Sequence, residues 1–174
     1  PGESAVYCSI NANLAGCVLS AATGRSLESL FHELVAIPLD IDRYHFYLQP
    51  TGEPYMGGGA FFRARDLLKL GQVVLDGGTW NNRRVLSEGF ASNSGAPVVD
   101  LRGRDYGYLW WVTELPHRDA TVRAFFAGGN GGQVVMGIPE LDLVVLFFAG
   151  NYSDPVMYRI QEELVPEYVL RAVE

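Results

Sequence analysis

A phenol and an alcohol stand two residues apart in Tyr7-Cys8-Ser9, where Asn11, Asn13 and Gly16 follow in a run that reads as the start of a helix. Far along the chain, Gly128-Gly129-Asn130-Gly131-Gly132 forms a glycine-rich turn. Side chains of the first kind transfer protons or hydrogen-bond a carbonyl, and glycine backbone lets a ligand lie close against a strand. Each also has a plain structural alternative: a tyrosine near a helix start, a serine cap, an ordinary turn. The usual attacking groups are not arranged beside them. The single lysine, Lys69, has Asp66 three residues before it, so there is no Ser-x-x-Lys. Ser94-Gly95 lacks the preceding Gly-x of a nucleophile elbow. His32, His45 and His117 are scattered, without metal spacing or a paired carboxylate, and no CxxC occurs. No metal or other cofactor is implied.

The elements that must position these residues change character along the chain. Ser9 or Asn11 is placed to cap a helix reaching about Ala22, with Ile10, Leu14, Cys17, Val18 and Ala21 at three- and four-residue spacings and Thr23-Gly24 as its end. A second helix is expected from Leu27 to about Ala36, with Leu27, Leu30, Phe31 and Leu34 on one face and Pro38 as its stop. Residues 41–59 read as a long structured loop ending in Gly57-Gly58-Gly59. A third helix spans about Phe62 to Leu75 and closes at Asp76-Gly77-Gly78; a short one starts after Ser87. Beyond about residue 103 the period falls to two. Strands are expected at Tyr106–Thr113, Thr121–Phe126, Gln133–Ile138 and Leu143–Ala149, the last two joined by Pro139-Glu140-Leu141-Asp142 as an antiparallel hairpin. A helical tail from Asp154 to about Val173 should kink or break at Pro166. Trp110-Trp111 point to opposite sides of their strand, so packing is the expectation for the pair.

Bulk properties fit a globular protein: 48% of residues are hydrophobic and 19% charged. A formal net charge of −7 without a lysine- or arginine-rich run argues against nucleic-acid binding. The longest apolar stretch, Leu143 to Ala149, is far short of the roughly 18 residues that would cross a bilayer. Cys8 and Cys17 on one helix would lie about 13 Å apart, too far for a disulfide, and are expected as two small buried thiols.

The succession Pro1-Gly2, Tyr7-Cys8-Ser9, Gly16, Gly24 and Pro38-Leu39 resembles the middle of the class C β-lactamase-related family of serine β-lactamases and DD-peptidase-like hydrolases. Similarity continues through Gly57-Gly58-Gly59, Ala64-Arg65-Asp66-Leu67 and Leu75-Asp76-Gly77-Gly78. It extends to Tyr106-Gly107-Tyr108-Leu109-Trp110-Trp111, then Pro139–Val145 and Gly150-Asn151-Tyr152. The order is more specific than any one motif. In such enzymes a serine of Ser-x-x-Lys attacks an acyl carbon, with a lysine and a tyrosine managing the proton and backbone N–H groups holding the oxyanion. The resemblance makes Tyr7 the proton-transfer residue and puts Ser9 where asparagine is commoner. Gly129-Asn130-Gly131 then stand at the third motif, usually Lys-Thr-Gly or His-x-Gly, and the Gly132 N–H in the oxyanion hole. Without the basic residue at 129 no carboxylate clamp is evident. Arg123 and Arg102 are candidates to replace it, and spacing places neither.

The expected architecture is α+β: a helical segment over residues 1–103, then a four-stranded antiparallel sheet and C-terminal helix over 104–174, a partial β-lactamase/DD-peptidase-like (transpeptidase-like) fold. The nucleophile would precede Tyr7, so the segment alone is expected to be chemically silent. An ester, amide or β-lactam is the implied substrate; an export destination, periplasmic or extracellular, is implied by the resemblance alone. A non-catalytic binding domain of the same fold is the alternative. Strand 143–149, apolar on both faces, needs cover that the segment scarcely supplies, which points to a missing N-terminal portion or a second copy in a homodimer.

Overall fold

The computed structural model describes residues 4–101 and 103–173, so Pro1-Gly2 and Arg102 lie outside the described residues. The chain forms two compact units that divide between Asp66 and Leu67.

In the first unit, α1 (Ser9–Thr23) ends at Gly24, whose φ of 66° lets its N–H return to Ser20 O at 2.9 Å. Its apolar residues do not form a buried stripe. Ile10, Leu14 and Val18 are 69%, 61% and 60% exposed, both cysteines are exposed, and only Gly16 is buried. The expectation of buried thiols is thus corrected: periodicity finds an apolar face but not what covers it. The second helix reaches Ala36 as expected but changes its winding part-way. α2 (Leu27–Phe31), capped by Ser26 Oγ accepting from Ser29 N, passes into a π-helical turn at His32–Ala36. Leu34, expected on the apolar face of this helix, is 54% exposed. The segment read as a loop contains β1 (Tyr44–Phe46), which pairs antiparallel with β2 (Ala60–Phe62). Tyr44, Phe46 and Phe62 close around Phe31 with ring centroids 4.9, 5.1 and 5.8 Å away. Strands of three residues are too short for a period of two to show.

The second unit holds most of α3 (Ala64–Leu75), the hairpin β3 (Thr79–Trp80) and β4 (Arg83–Arg84), and α4 (Glu88–Asn93) capped by Ser87. Its centre is an antiparallel sheet that corrects the expected four strands to six among the described residues, in the order β10-β9-β8-β7-β6-β5. The strands are β5 (Val99–Asp100), β6 (Asp105–Gly107), β7 (Trp110–His117), β8 (Ala120–Gly129), β9 (Gln133–Ile138) and β10 (Leu143–Phe147). One expected strand is two, because Tyr108 and Leu109 both take positive φ, 50° and 71°, and reverse the chain in a two-residue turn. Such turns normally announce themselves with Asn-Gly or Asp-Gly, and here nothing in the composition does.

One face of this sheet buries Leu115, Val122, Ala124, Phe126, Val134, Met136 and Ile138 against Ile160, Val165 and Leu170 of the C-terminal helical segment. That segment comprises 3₁₀ turns at Pro155–Tyr158 and Leu170–Ala172 around a π-helical stretch, Ile160–Val169. Of the expected kink or break at Pro166, a break does not occur: the proline is buried inside a continuous helical stretch. Wider π winding accommodates a residue that cannot donate and whose ring would collide with the carbonyl four positions back. On the other face, α3 lies so close that a Cβ at Gly71 would come within 2.9 Å of Val144 and 3.1 Å of Val135. β10 therefore has neighbours on both faces, yet all five of its residues stay half-buried because it is an edge.

Candidate active site

The amino-terminal candidates sit at the entry to α1. Residues 4–8 are extended and Tyr7 is 57% exposed. Cys8, not Ser9 or Asn11, occupies the N-cap position and its side chain caps nothing; Asn11 N–H is satisfied by Cys8 O at 3.0 Å. Ser9 is the first helical residue, and its hydroxyl is not spent as a cap. The glycine triplet packs against this corner. A Cβ at Gly57 would lie 2.8 Å from Ser9 Cβ and 2.8 Å from the phenol oxygen of Tyr55. Asn13 Oδ1 accepts from Met56 N at 2.8 Å and pins the approach to α1. Only a residue without a side chain fits there. Sequence places Asn13 near the start of α1 but not its partner Met56, which is 43 residues away; the glycine triplet was the available signal of close approach, and nothing marked Tyr55.

In the second unit, Gly128 and Gly129 end β8, and Gly129 pairs with Gln133 at the start of β9. Between them Asn130, Gly131 and Gly132 make a tight bend, with Gly131 and Gly132 buried at φ 93° and 90°. The bend is anchored from several sides. Gly132 N–H donates to Gly129 O at 3.2 Å, and Gly131 N–H to Met157 Sδ at 3.4 Å. Asn151 N–H reaches Gly131 O at 3.0 Å, and Ser153 N–H reaches Asn130 Oδ1 at 2.8 Å. Asn130 is exposed, so its amide NH₂ end faces the surroundings of the bend while its oxygen holds the 151–154 turn.

Arg123 does not serve this bend. Its guanidinium donates to Gly95 O at 3.2 Å, and six residues of extended strand separate it from Gly129, roughly 20 Å. Arg102 lies outside the described residues. Trp110 and Trp111 are packing residues, edge-on to Phe125 at 5.1 Å and to Tyr106 at 4.7 Å. His32 Nδ1 lies 3.0 Å from the hydroxyl of Tyr44, whose phenol burial pushes up, with Glu28 adding to the effect. No group of three or more His, Cys, Asp or Glu gathers as a metal site among the described residues. No helix there is long and apolar enough to cross a membrane.

A model of the β-lactamase family matches residues 1–164. The 6-aminohexanoate-dimer hydrolase of Paenarthrobacter ureafaciens is 36% identical over 163 residues, covering 86% of this chain and 40% of the relative. Two solved structures share the fold. A Bacillus anthracis structure that carries the 6-aminohexanoate-dimer hydrolase name superposes with a TM-score of 0.78 at 20% identity, over 98% of this chain and 46% of that one. The octameric penicillin-binding protein homologue from Pyrococcus abyssi gives 0.70 at 20% identity, over 99% and 46%. The chain thus spans less than half the length of these relatives.

Proposed function

The chain belongs to the β-lactamase family, and on that premise we propose that it is the C-terminal part of a serine hydrolase. The complete enzyme would cleave an ester, amide or β-lactam through a covalent acyl-enzyme, its Ser-x-x-Lys lying outside these 174 residues. Tyr7 takes the proton from the attacking serine and returns it to the leaving group, as general base and then acid. Ser9 donates its hydroxyl hydrogen to the substrate carbonyl, and Asn130 positions the substrate through its NH₂ end. The oxyanion draws the Gly132 N–H away from Gly129 O, since a bond to a charged oxygen is stronger than a 3.2 Å amide–carbonyl bond.

The observation that carries the proposal is Ser9: exposed, unused as a cap, and held beside Gly57 at the start of α1 where the family motif requires a hydrogen-bonding side chain. Glycine at 129, in place of a basic residue, favours a substrate without a carboxylate near that strand. A relative named for hydrolysing a dimer of an amino acid favours an amide. Ile10, Leu14 and Val18, more than half exposed, would each gain about 1–2 kcal/mol on being covered, so the remainder of the protein or a second copy seats on α1. A sedimenting monomer of the segment excludes the second copy.

The decisive experiment supplies the upstream portion and measures turnover of nitrocefin and p-nitrophenyl esters. Activity should appear with both portions, be absent from this segment alone, and vanish in Tyr7→Phe. Undiminished turnover in Tyr7→Phe removes Tyr7 from the mechanism. The engaged Gly132 N–H favours one other reading, a binding domain that keeps the fold without the chemistry. Absence of turnover when a Ser-x-x-Lys segment is present, or absence of that motif upstream, selects it.

A further inference from the structure

We propose that a cleft between β8, α4 and the end of α3 is a binding site for a small molecule with one carboxylate on an apolar body, of the aryl or short alkyl carboxylate class. This inference does not rest on the hydrolase reading. The cleft has a volume of about 260 Å³ and lies within the second unit. Arg123 and Phe125 line it from β8, Val74 and Leu75 from α3, Ala91 from α4 and Pro139 from the β9–β10 connection. Two-residue spacing puts Arg123 and Phe125 on the sheet face opposite the one that buries Val122, Ala124 and Phe126.

What makes this more than a surface crease is the guanidinium of Arg123, a half-buried cation with no ion pair among the described residues. The carboxylates nearest in the sheet leave it alone. Glu140 Oε1 accepts the backbone N–H of Arg123 at 3.2 Å, and Glu114, directly opposite on β7, makes no ion pair with it. Nη2 donates to Gly95 O at 3.2 Å, and Gly95 lines the cleft, so the charged head is held at its wall. Nε and Nη1 carry no hydrogen bond among the described residues. Neither is one of the fully buried polar atoms left unpaired, so both reach accessible space. A guanidinium has two edges that can grip a carboxylate through parallel N–H bonds, and each edge uses one hydrogen of Nη2. A single bond to Gly95 O leaves the other edge complete. Ser92 and Ser94 also line the cleft, but their hydroxyls already donate to Gly89 O and Phe90 O. The walls of Val74, Leu75, Phe125 and Pro139 suit hydrocarbon. A bare inorganic anion would leave those walls wet, and a neutral molecule would leave Arg123 unpaired.

Benzoate, benzamide, acetate and phosphate separate these requirements. Each is titrated into the methyl-labelled chain, following the Val74 and Leu75 methyls and the Arg123 Nε–H by NMR. Benzoate should shift these signals saturably. Benzamide keeps the ring without the charge, and acetate keeps the charge without the ring; each should need about tenfold more. Phosphate should be as weak as acetate. In Arg123→Gln the benzoate midpoint should rise to that of benzamide while the benzamide midpoint holds. Absence of a saturable shift leaves only a solvated arginine and overturns the proposal. A benzamide, acetate or phosphate midpoint equal to that of benzoate does so too, as does a benzoate preference that survives in Arg123→Gln. Should Arg123→Gln lose the dispersed Met136 and Ile138 signals of a folded core, the four-ligand comparison on the native chain decides alone.

Discussion

Gly137→Ala should destabilise the sheet by roughly 1–3 kcal/mol, although alanine in an open strand is ordinarily preferred to glycine by about 0.5–1 kcal/mol. Gly137 pairs with Phe125 across β8 and β9, and the Phe125 ring lies over it. A methyl at 137 would fall 2.2, 2.6 and 2.8 Å from three ring carbons, far inside the roughly 3.5–4.0 Å of favourable carbon contact. The ring cannot swing aside freely: Phe125 is 5% exposed and Trp110 stands edge-on to it at 5.1 Å. Backbone strain plays no part, since Gly137 is not among the positive-φ residues. The cost is thus purely a collision, and it should disappear with the ring. In a Phe125→Leu background Gly137→Ala should be neutral or stabilising, giving a coupling of about 1–4 kcal/mol. Urea titration of the four proteins measures this, with the slope of each transition checked for constancy. In thermal melts of a chain this size each kcal/mol should move Tm by about 2–4 °C. Equal losses in both backgrounds, or none in either, would refute the reasoning. The outcome bears on the site, because β8 and β9 carry the glycine bend between them.

Gly131→Ala should cost about 1–2 kcal/mol from its φ of 93°, with a further collision against the Tyr152 ring at 2.8 Å. Hydrogen exchange at the Asn151 and Ser153 amides, which are bonded to the bend, should quicken; unchanged protection there would show that the bend tolerates the methyl. Glu163 accepts hydrogen bonds from Arg159, which hold its carboxyl below the ordinary value of 4.5, against a smaller desolvation effect that raises it. Because the folded value is the lower one, the pair's stabilisation is present above the unfolded pKa and is lost as pH falls through the folded one. Arg159→Gln should raise the Glu163 midpoint in an NMR titration, and an unmoved midpoint would contradict the pairing.

Type and spacing were enough to locate the glycine bend at 128–132, the Pro139–Asp142 hairpin and the start of α4 after Ser87. These are local matters: a cap, a turn or a glycine declares itself to its immediate neighbours. The Tyr108-Leu109 reversal was illegible, since neither residue favours positive φ and only pairing of β6 with β7 enforces it. β1 was illegible too, since three residues acquire strand identity only when β2 and the Phe31 ring arrive.

Tertiary structure alone decided which apolar residues are buried. Ile10, Leu14 and Val18 lie at helical spacing as Leu27 and Leu30 do, yet the first three are exposed and the latter two are covered. Periodicity reports which side chains share a face, and burial depends on whether a surface from elsewhere in the chain comes to meet it. The same holds for Gln161 and Pro166. Nothing in Ile160-Gln161-Glu162 foretells a buried, unpaired amide oxygen, because π winding and the approach of β7 create it together. Sequence dictated the backbone's available bends and the chemistry of each side chain; long-range packing determined which of those groups share a surface.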